Sequence, residues 1–349
     1  MSELNMNPTY TAYIISGSKK YNITPALISL DRIDAEGEIA QRVKLQLRNV
    51  DVDGVMLASI LQPVNRLFVY ADDGSKQDEV FRGFLWDRVY KASISDQELT
   101  VTAYDHLIYL QESEDTFYFS TGKLTEEIIS HICAQWNVKL EYSYENIVNG
   151  KMPLSGKLYD ILTTDVLDVT KRRIGYHYSI ISEKDTMIVR TAGTNELTYK
   201  FVEEQNVSIA TSGWTMEGVV TQILLIGNNG QDERKTVELV ESRNVEKYGT
   251  LQKIEQKDED INIWDAHSNV RIALMENSDP KYEYEITGPD IPWIRKGDGV
   301  YVDAGDIRDK TLIVTAVNRS CDMKNAKMTM TMVDVATKIA LMDVDWFST

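Results

Sequence analysis

The sequence predicts a mainly β protein in which two related β blocks flank an α+β middle domain. Three observations carry that expectation. A chain of 349 residues is longer than one ordinary small domain and suggests two or three, each able to bury a core. Apolar residues recur every second position in the outer thirds and every three to four in the middle. Charge follows the same division: residues 1–118 hold 18 Asp/Glu and 11 Lys/Arg, residues 119–200 hold ten of each, and residues 201–349 hold 26 and 16. The expected domains are therefore 1–118, 119–200 and 201–349.

The first block reads as strands. Val43, Leu45 and Leu47 alternate with Lys44, Gln46 and Arg48, a period that places one face on a core. Arg66–Tyr70 runs into the turn Asp72-Asp73-Gly74, and Val80–Val89 and Leu99–Tyr104 follow. Several short strands with polar turns suggest a small antiparallel barrel or sandwich.

In the middle block the period changes. Leu124, Ile128, Ile129, Ile132 and Trp136 share a helical face, with Ser120 and Thr121 as candidate caps and Glu126 and Glu127 in the first turn. A second helix carries Leu158, Ile161, Leu162, Val166 and Val169. It should stop at Gly175 after Lys171-Arg172-Arg173, since cations in a last turn followed by glycine form a stop signal. Strands at Tyr176–Ile181 and Thr186–Arg190 complete the α+β pattern.

The third block returns to strands and repeats the first. Val43–Leu47, Leu67–Gly74, Phe84–Val89 and Glu98–Asp105 find ordered counterparts in Thr221–Leu225, Val300–Gly305, Leu312–Val317 and Lys327–Asp334. The last pair matches best, alternating apolar residues with threonine and ending on Asp. A longer gap in the third block, after Ile226, predicts a helical insertion at about 235–290 with a helix near Asp260–Met275.

Chemistry-bearing patterns are missing. His106, His131, His177 and His267 are scattered, and no GxSxG, Walker or GxGxxG motif occurs. His131 and Cys133, two apart on a helix, point in different directions. The acidic runs Asp72-Asp73 and Asp258-Glu259-Asp260 sit among turn residues, and Asp51-Val52-Asp53-Gly54 only begins to resemble a calcium loop before Val55-Met56-Leu57. Gly297-Asp298-Gly299 reads as a hairpin turn. Cys133 and Cys321 are too few for a disulfide framework or a cysteine zinc site. Net charge of −17 weighs against binding a phosphate backbone over a large surface. The start lacks a signal-peptide plan, and no apolar run is long enough to span a bilayer. The reading is of a non-enzyme with no catalytic residues, metal or cofactor, no membrane and no specific nucleic-acid binding.

The ordered motifs Phe81-Arg82-Gly83-Phe84-Leu85-Trp86, Leu99–Leu110, Gln135-Trp136-Asn137-Val138, Tyr248–Lys253 and Gly297–Val302 resemble the XkdQ/YqbQ family of PBSX-type prophage tail proteins. That family is similar to the baseplate hub of contractile phage tails, the late control protein D group, and to the base of type VI secretion spikes. The resemblance implies a homotrimer with two β-barrels per subunit, whose six barrels match the sixfold tail tube on one side while the threefold axis seats the trimeric spike on the other. The implied partners are a second and third copy, tail tube, spike, tape measure and other baseplate proteins. The implied place is a virion, bacteriocin or other tail-like particle assembled from protein made in the bacterial cytoplasm. Some relatives add a peptidoglycan hydrolase; ending at Trp346-Phe347-Ser348-Thr349, this sequence is expected to lack it. The alternative is a cell-wall glycan-binding or lytic tail component. Subunit contacts are expected to be apolar and strand-mediated, with Val43, Leu45, Leu47, Ile223, Leu225, Met328 and Met330 as candidates.

Overall fold

Alternation in the first block builds a single inward face. In the computed structural model, which describes residues 7–93, 97–196, 198–228, 235–257, 263–322 and 325–334, Val43, Leu45 and Leu47 are fully buried and Lys44, Gln46 and Arg48 exposed. Opposite them on the strand Gln97–Tyr104 stand Ala103, Val101 and Leu99, also fully buried. Leu67, Val69 and Ala71 of Arg66–Asp72 and Tyr10, Ala12 and Ile14 of Thr9–Ser16 continue the layer, and the short helix Leu57–Ile60 packs into it. Each buried leucine or valine stabilises this core by roughly 1.5–3 kcal/mol. Every neighbouring pair of strands in the block is antiparallel.

Two meanders in the chain share one register. Arg66–Asp72, Gln77–Ala92 and Gln97–Tyr104 form the first; Gly299–Ala304, Ile307–Cys321 and Ala326–Asp334 form the second. Both central strands are long, 16 and 15 residues. Both bulge at the same place, between Leu85 and Asp87 and between Val314 and Ala316, and bulges bend and twist a strand locally. Leu85 faces Ala103 as Val314 faces Met332, and Ala92 faces Gln97 as Cys321 faces Ala326. A constant offset of 229 residues therefore maps one hairpin onto the other.

The fourth element of the repeat differs from the sequence reading. Arg42–Arg48 flanks the first meander with Val43 opposite Ala103, and Lys281–Pro289 flanks the second with Tyr284 opposite Met332. Lys281–Pro289, not Thr221–Leu225, is thus the counterpart of Arg42–Arg48. The Thr221–Leu225 run alternates as a strand should, but it belongs to a separate small sheet. The interruption also starts before Ile226, between the strands Ile209–Thr215 and Lys281–Pro289. At the corresponding point the first copy has only the short link from Leu27–Asp34 to Arg42–Arg48. The two copies meet edge to edge: Val317–Cys321 pairs antiparallel with Leu30–Asp34, giving one continuous 13-stranded sheet.

The middle residues fold beside this sheet in the same compact unit, residues 7–211 with 284–334. Thr125–Gln135 is helical and buries Ile128, Ile129 and Ile132. Its N-terminus is closed not by Ser120 or Thr121 but by Glu127, whose carboxylate accepts the Leu124 N–H at 2.9 Å. The second helical segment passes through a π-helical stretch at Ile161–Leu167 and ends at Gly175, φ 77°, whose N–H donates to the Lys171 carbonyl at 2.8 Å. Lys139–Ser143, Thr186–Thr191 and Tyr178–Glu183 form a mixed sheet over the helices.

The second unit comprises residues 212–283. Gln222–Asn228 is flanked by Lys235–Ser242 and Gln252–Gln256, and the helix Ile263–Asn277 packs Ala266, Val270 and Leu274 on Ile223 and Leu225. The run Asp258-Glu259-Asp260 and the final Trp346-Phe347-Ser348-Thr349 lie outside the described residues.

Candidate functional site

Period two places charged side chains on the buried face where the two copies join. Leu30, Arg32 and Asp34 share the inward side of one strand, and Val317, Arg319 and Cys321 that of its partner. Arg319 stands directly opposite Arg32. Arg319 Nε donates to Asp290 Oδ1 at 2.9 Å, and the Tyr10 hydroxyl donates to Asp290 Oδ2. Arg32 donates to the carbonyls of Val80, at 3.3 Å, and Pro292. Burial and the neighbouring Arg319 charge pull the Arg32 guanidinium down to about 10. Charges this far from water persist only when paired and hydrogen-bonded.

A second set of ions lies along the same seam. Arg295 donates to Asp34 Oδ2 through Nε at 2.9 Å and to the Ser182 carbonyl at 3.1 Å, and Gln41 Nε2 adds a bond to Asp34 at 3.0 Å. Burial would raise Asp34, but Arg295, with Lys296 and Arg319 behind it, outweighs burial and holds the carboxyl at about 2. Asp105 is the reverse case. Burial pushes it up to about 7 although the backbone N–H groups of Gln41 and Leu107 both donate to it at 2.9 Å. Carboxylates with values pushed apart are a pattern of acid–base sites. Here, however, Asp34 and Asp105 are both filled by donors of the chain itself, so the cluster fastens elements together.

The loop Trp293–Asp298 ties the second copy to the middle block and to the first copy. Asp298 accepts from the Arg295 backbone N–H at 2.8 Å and from Arg190, and Ser179 Oγ donates to the Lys296 carbonyl at 2.9 Å. Trp293 Nε1 donates to Asp73 Oδ2 at 2.6 Å. Gly297-Asp298-Gly299 is therefore an anchoring loop rather than a hairpin turn, with Gly297 at φ 86° against Ser179. Asp73, expected in a solvated turn, is only 4% exposed. Its Oδ1 accepts from Ser75 and Lys76, and the Trp293 bond first, then these, hold it at about 2 against burial.

The other chemistry-bearing residues stay apart. His131 packs edge-on against Phe117 and Phe119. His106 and His177 are lowered by burial to about 4, and burial pushes the Cys133 thiol up to about 12. Asp51 Oδ1 accepts the Gly54 N–H at 2.9 Å and closes a tight turn. Among the described residues no group of three or more His, Cys, Asp or Glu could share a cation, and no helix is long and apolar enough to cross a membrane.

The seven candidate contact residues all point inward. Val43, Leu45, Leu47 and Met330 are fully buried, and Met328, Ile223 and Leu225 nearly so. They lie in the core of the chain because the same alternation that made them apolar turns them away from the surface. Ile223 and Leu225 also sit in the small inserted sheet, apart from the other five. Arg32, Arg319, Asp290 and Arg295 went unread. For Arg32 and Arg319 the signal was a charged residue at an inward position of an alternating strand, in Leu30-Asp31-Arg32 and Val317-Asn318-Arg319; Asp290 and Arg295 lie between strands and carried none.

The register-matched copies, their edge-to-edge junction and the inserted sheet can be set beside known proteins. The profile of the YQBQ-like family matches residues 66–333. The chain belongs to the YQBQ-like family. It is similar to the phage-like element PBSX protein XkdQ of Bacillus subtilis, 26% identical over 269 residues, covering 75% of this chain and 79% of XkdQ. Among solved structures, the YQBQ-like fold is shared with the 43 kDa tail protein of prophage MuSo2 from Shewanella oneidensis. That match has TM-score 0.69 and 13% identity, covering 94% of this chain and 99% of that one. It is also shared with the E. coli c3393 protein, described as a component of the type VI secretion system with structural similarity to T4 bacteriophage tail proteins gp27 and gp5. There the TM-score is 0.56 and the identity 9%, covering 93% of this chain and 76% of the other.

Proposed function

We propose that this YQBQ-like protein is a structural baseplate hub, a homotrimer joining a sixfold tail tube to a threefold spike in a phage tail or tail-like particle. The observation that carries the reading is the pair of register-matched meanders fused into one sheet. Three chains with two equivalent β blocks each present six similar units to a tube and three identical chains to a spike. The fold shared with phage tail proteins and with a type VI secretion component supports this reading. Its partners are further copies of itself, tail tube, spike, and tape measure or other baseplate proteins, and its place is a particle assembled from protein made in the bacterial cytoplasm. The role is structural rather than catalytic, since the buried ions at the seam are occupied by one another.

Co-expression with the tube and spike proteins of the same tail cluster, followed by light scattering and electron microscopy of the purified complex, tests this. A threefold complex with a six-unit ring is expected. A complex without threefold symmetry overturns the hub. Retention on purified peptidoglycan with clearing of cell walls favours a glycan-binding or lytic component instead.

A further inference from the structure

The helix of the inserted unit covers one side of its sheet. Gln222–Asn228 alternates, so Ile223 and Leu225 turn toward the helix Ile263–Asn277 while Gln222, Leu224 and Ile226 turn the other way. Ser242, Val240 and Val237 stand opposite these three on one flanking strand, and Gln252, Ile254 and Gln256 on the other. Residues paired across a ladder share a face. These nine positions are therefore the outer surface of the sheet, with Leu224 at its centre.

Their composition reverses what a solvated face requires. A sheet with one face in water reads apolar inward and polar outward. Here Val237, Val240 and Ile254 are 55%, 50% and 59% exposed, and Leu224 and Ile226 between them are half-buried. None of the nine positions is charged. The charges of the flanking strands stand on the helix side instead. Glu241, opposite Ile223, accepts from Arg271 at 3.0 Å, and Lys253 and Glu255 pair with each other at 2.9 Å.

Two features point to a second copy of the chain as the occupant. The chain carries −17, so two copies repel one another overall, and contact is favoured where neither brings a charge. The polar positions of the face also complement themselves. Gln222, Gln252 and Gln256 each carry amide donors and an acceptor, and the Ser242 hydroxyl serves as either, so the rim matches an identical rim.

We propose that the outer face of this sheet docks on the same face of a second copy, stacking the two sheets between their helices about a twofold axis. Stacked sheets lie about 10 Å apart, and a twofold contact is isologous, each patch meeting itself. An axis running between the sheets past the patch centre sets Leu224 against the partner's Leu224. Nine positions are fewer than the roughly 20–30 residues a side of a standard interface, so the contact is weak and forms at high protein concentration. It is independent of the threefold closure of the hub and goes beyond that reading.

The test is the full-length chain carrying Leu224→Cys, oxidised at high protein concentration with and without the tube and spike proteins. The native Cys133 and Cys321 are buried, and disulfides join facing residues of stacked sheets in immunoglobulin domains. A reducible covalent dimer is expected. Tyr118, in the middle block, is 64% exposed; Tyr118→Cys lacks the same proximity and should cross-link at least about tenfold less. Adding Val240→Asp and Ile254→Asp to the Leu224→Cys chain should abolish the product, since each buries an unpaired carboxylate at the contact. Near-UV circular dichroism should stay native, because both positions are exposed. Sedimentation equilibrium needs no cysteine: the parent should form dimers that Val240→Asp and Ile254→Asp remove. Those dimers should strengthen as salt rises, because screening relieves the repulsion of two acidic chains and no ion pair crosses the face. Trimers that form without a bond at position 224 support the hub and overturn this pairing. Trimers that Val240→Asp and Ile254→Asp dissolve overturn the twofold stacking. A parent that stays monomeric with no cross-link, or a position-224 bond formed only to the tube or spike protein, overturns the second copy as occupant.

Discussion

Removing one carboxylate should unfasten the seam between the two copies. Asp290, 4% exposed, accepts from Arg319 and from the Tyr10 hydroxyl, and Arg32 stands beside Arg319 on the paired strand. Asp290→Ala would leave Arg319, 2% exposed, buried without its partner. Breaking a buried ion pair from one side costs roughly 3–5 kcal/mol, and the stranded Tyr10 hydroxyl adds about 1 kcal/mol. In a unit of this size each kcal/mol lowers Tm by roughly 2–4 °C, so a fall of about 10 °C is expected. Urea titration by circular dichroism, together with differential scanning calorimetry, reads both quantities. The double variant Asp290→Leu with Arg319→Met should recover most of the loss, because a well-packed apolar pair replaces a buried ionic one at little cost. A loss below about 1 kcal/mol for Asp290→Ala would refute the reasoning, showing that water reaches the guanidiniums.

The remaining expectations follow from single positions. Asp105 sits at about 7 in the folded chain, above the ordinary aspartate value of 3.8, so its stabilising contribution is full below pH 4 and is lost as pH rises through 7. His106 and His177, lowered to about 4, run the opposite way, contributing above pH 6.5 and losing that contribution as pH falls toward 4. The net pH profile should therefore be shallow, whereas Asp105→Asn should gain roughly 3–4 kcal/mol relative to the parent between pH 4 and pH 8 in urea titrations; a pH-independent difference would contradict the buried placement. Gly83→Ala would put a methyl 2.1 Å from the Tyr104 carbonyl oxygen. Soluble yield should collapse, or Tm should fall by more than 10 °C, as backbone must shift.

What the sequence made legible was periodicity. Val43, Leu45 and Leu47 announced a half-buried strand, and Gly175 after three cations announced a helix end. The matched threonine-rich strands Leu99–Tyr104 and Met328–Met332 announced a repeat. Pairing partners were not legible. Thr221–Leu225 and Lys281–Pro289 are both strand-like, and only the ladder with Ala326–Asp334 selects the second. The candidate contact residues show a related limit. Alternation marks which residues leave water, but not whether another strand of the same chain or a neighbouring chain removes them from it. Arg32 and Arg319 looked like surface charges because their acceptors, Pro292 and Asp290, lie some 260 and 29 positions away.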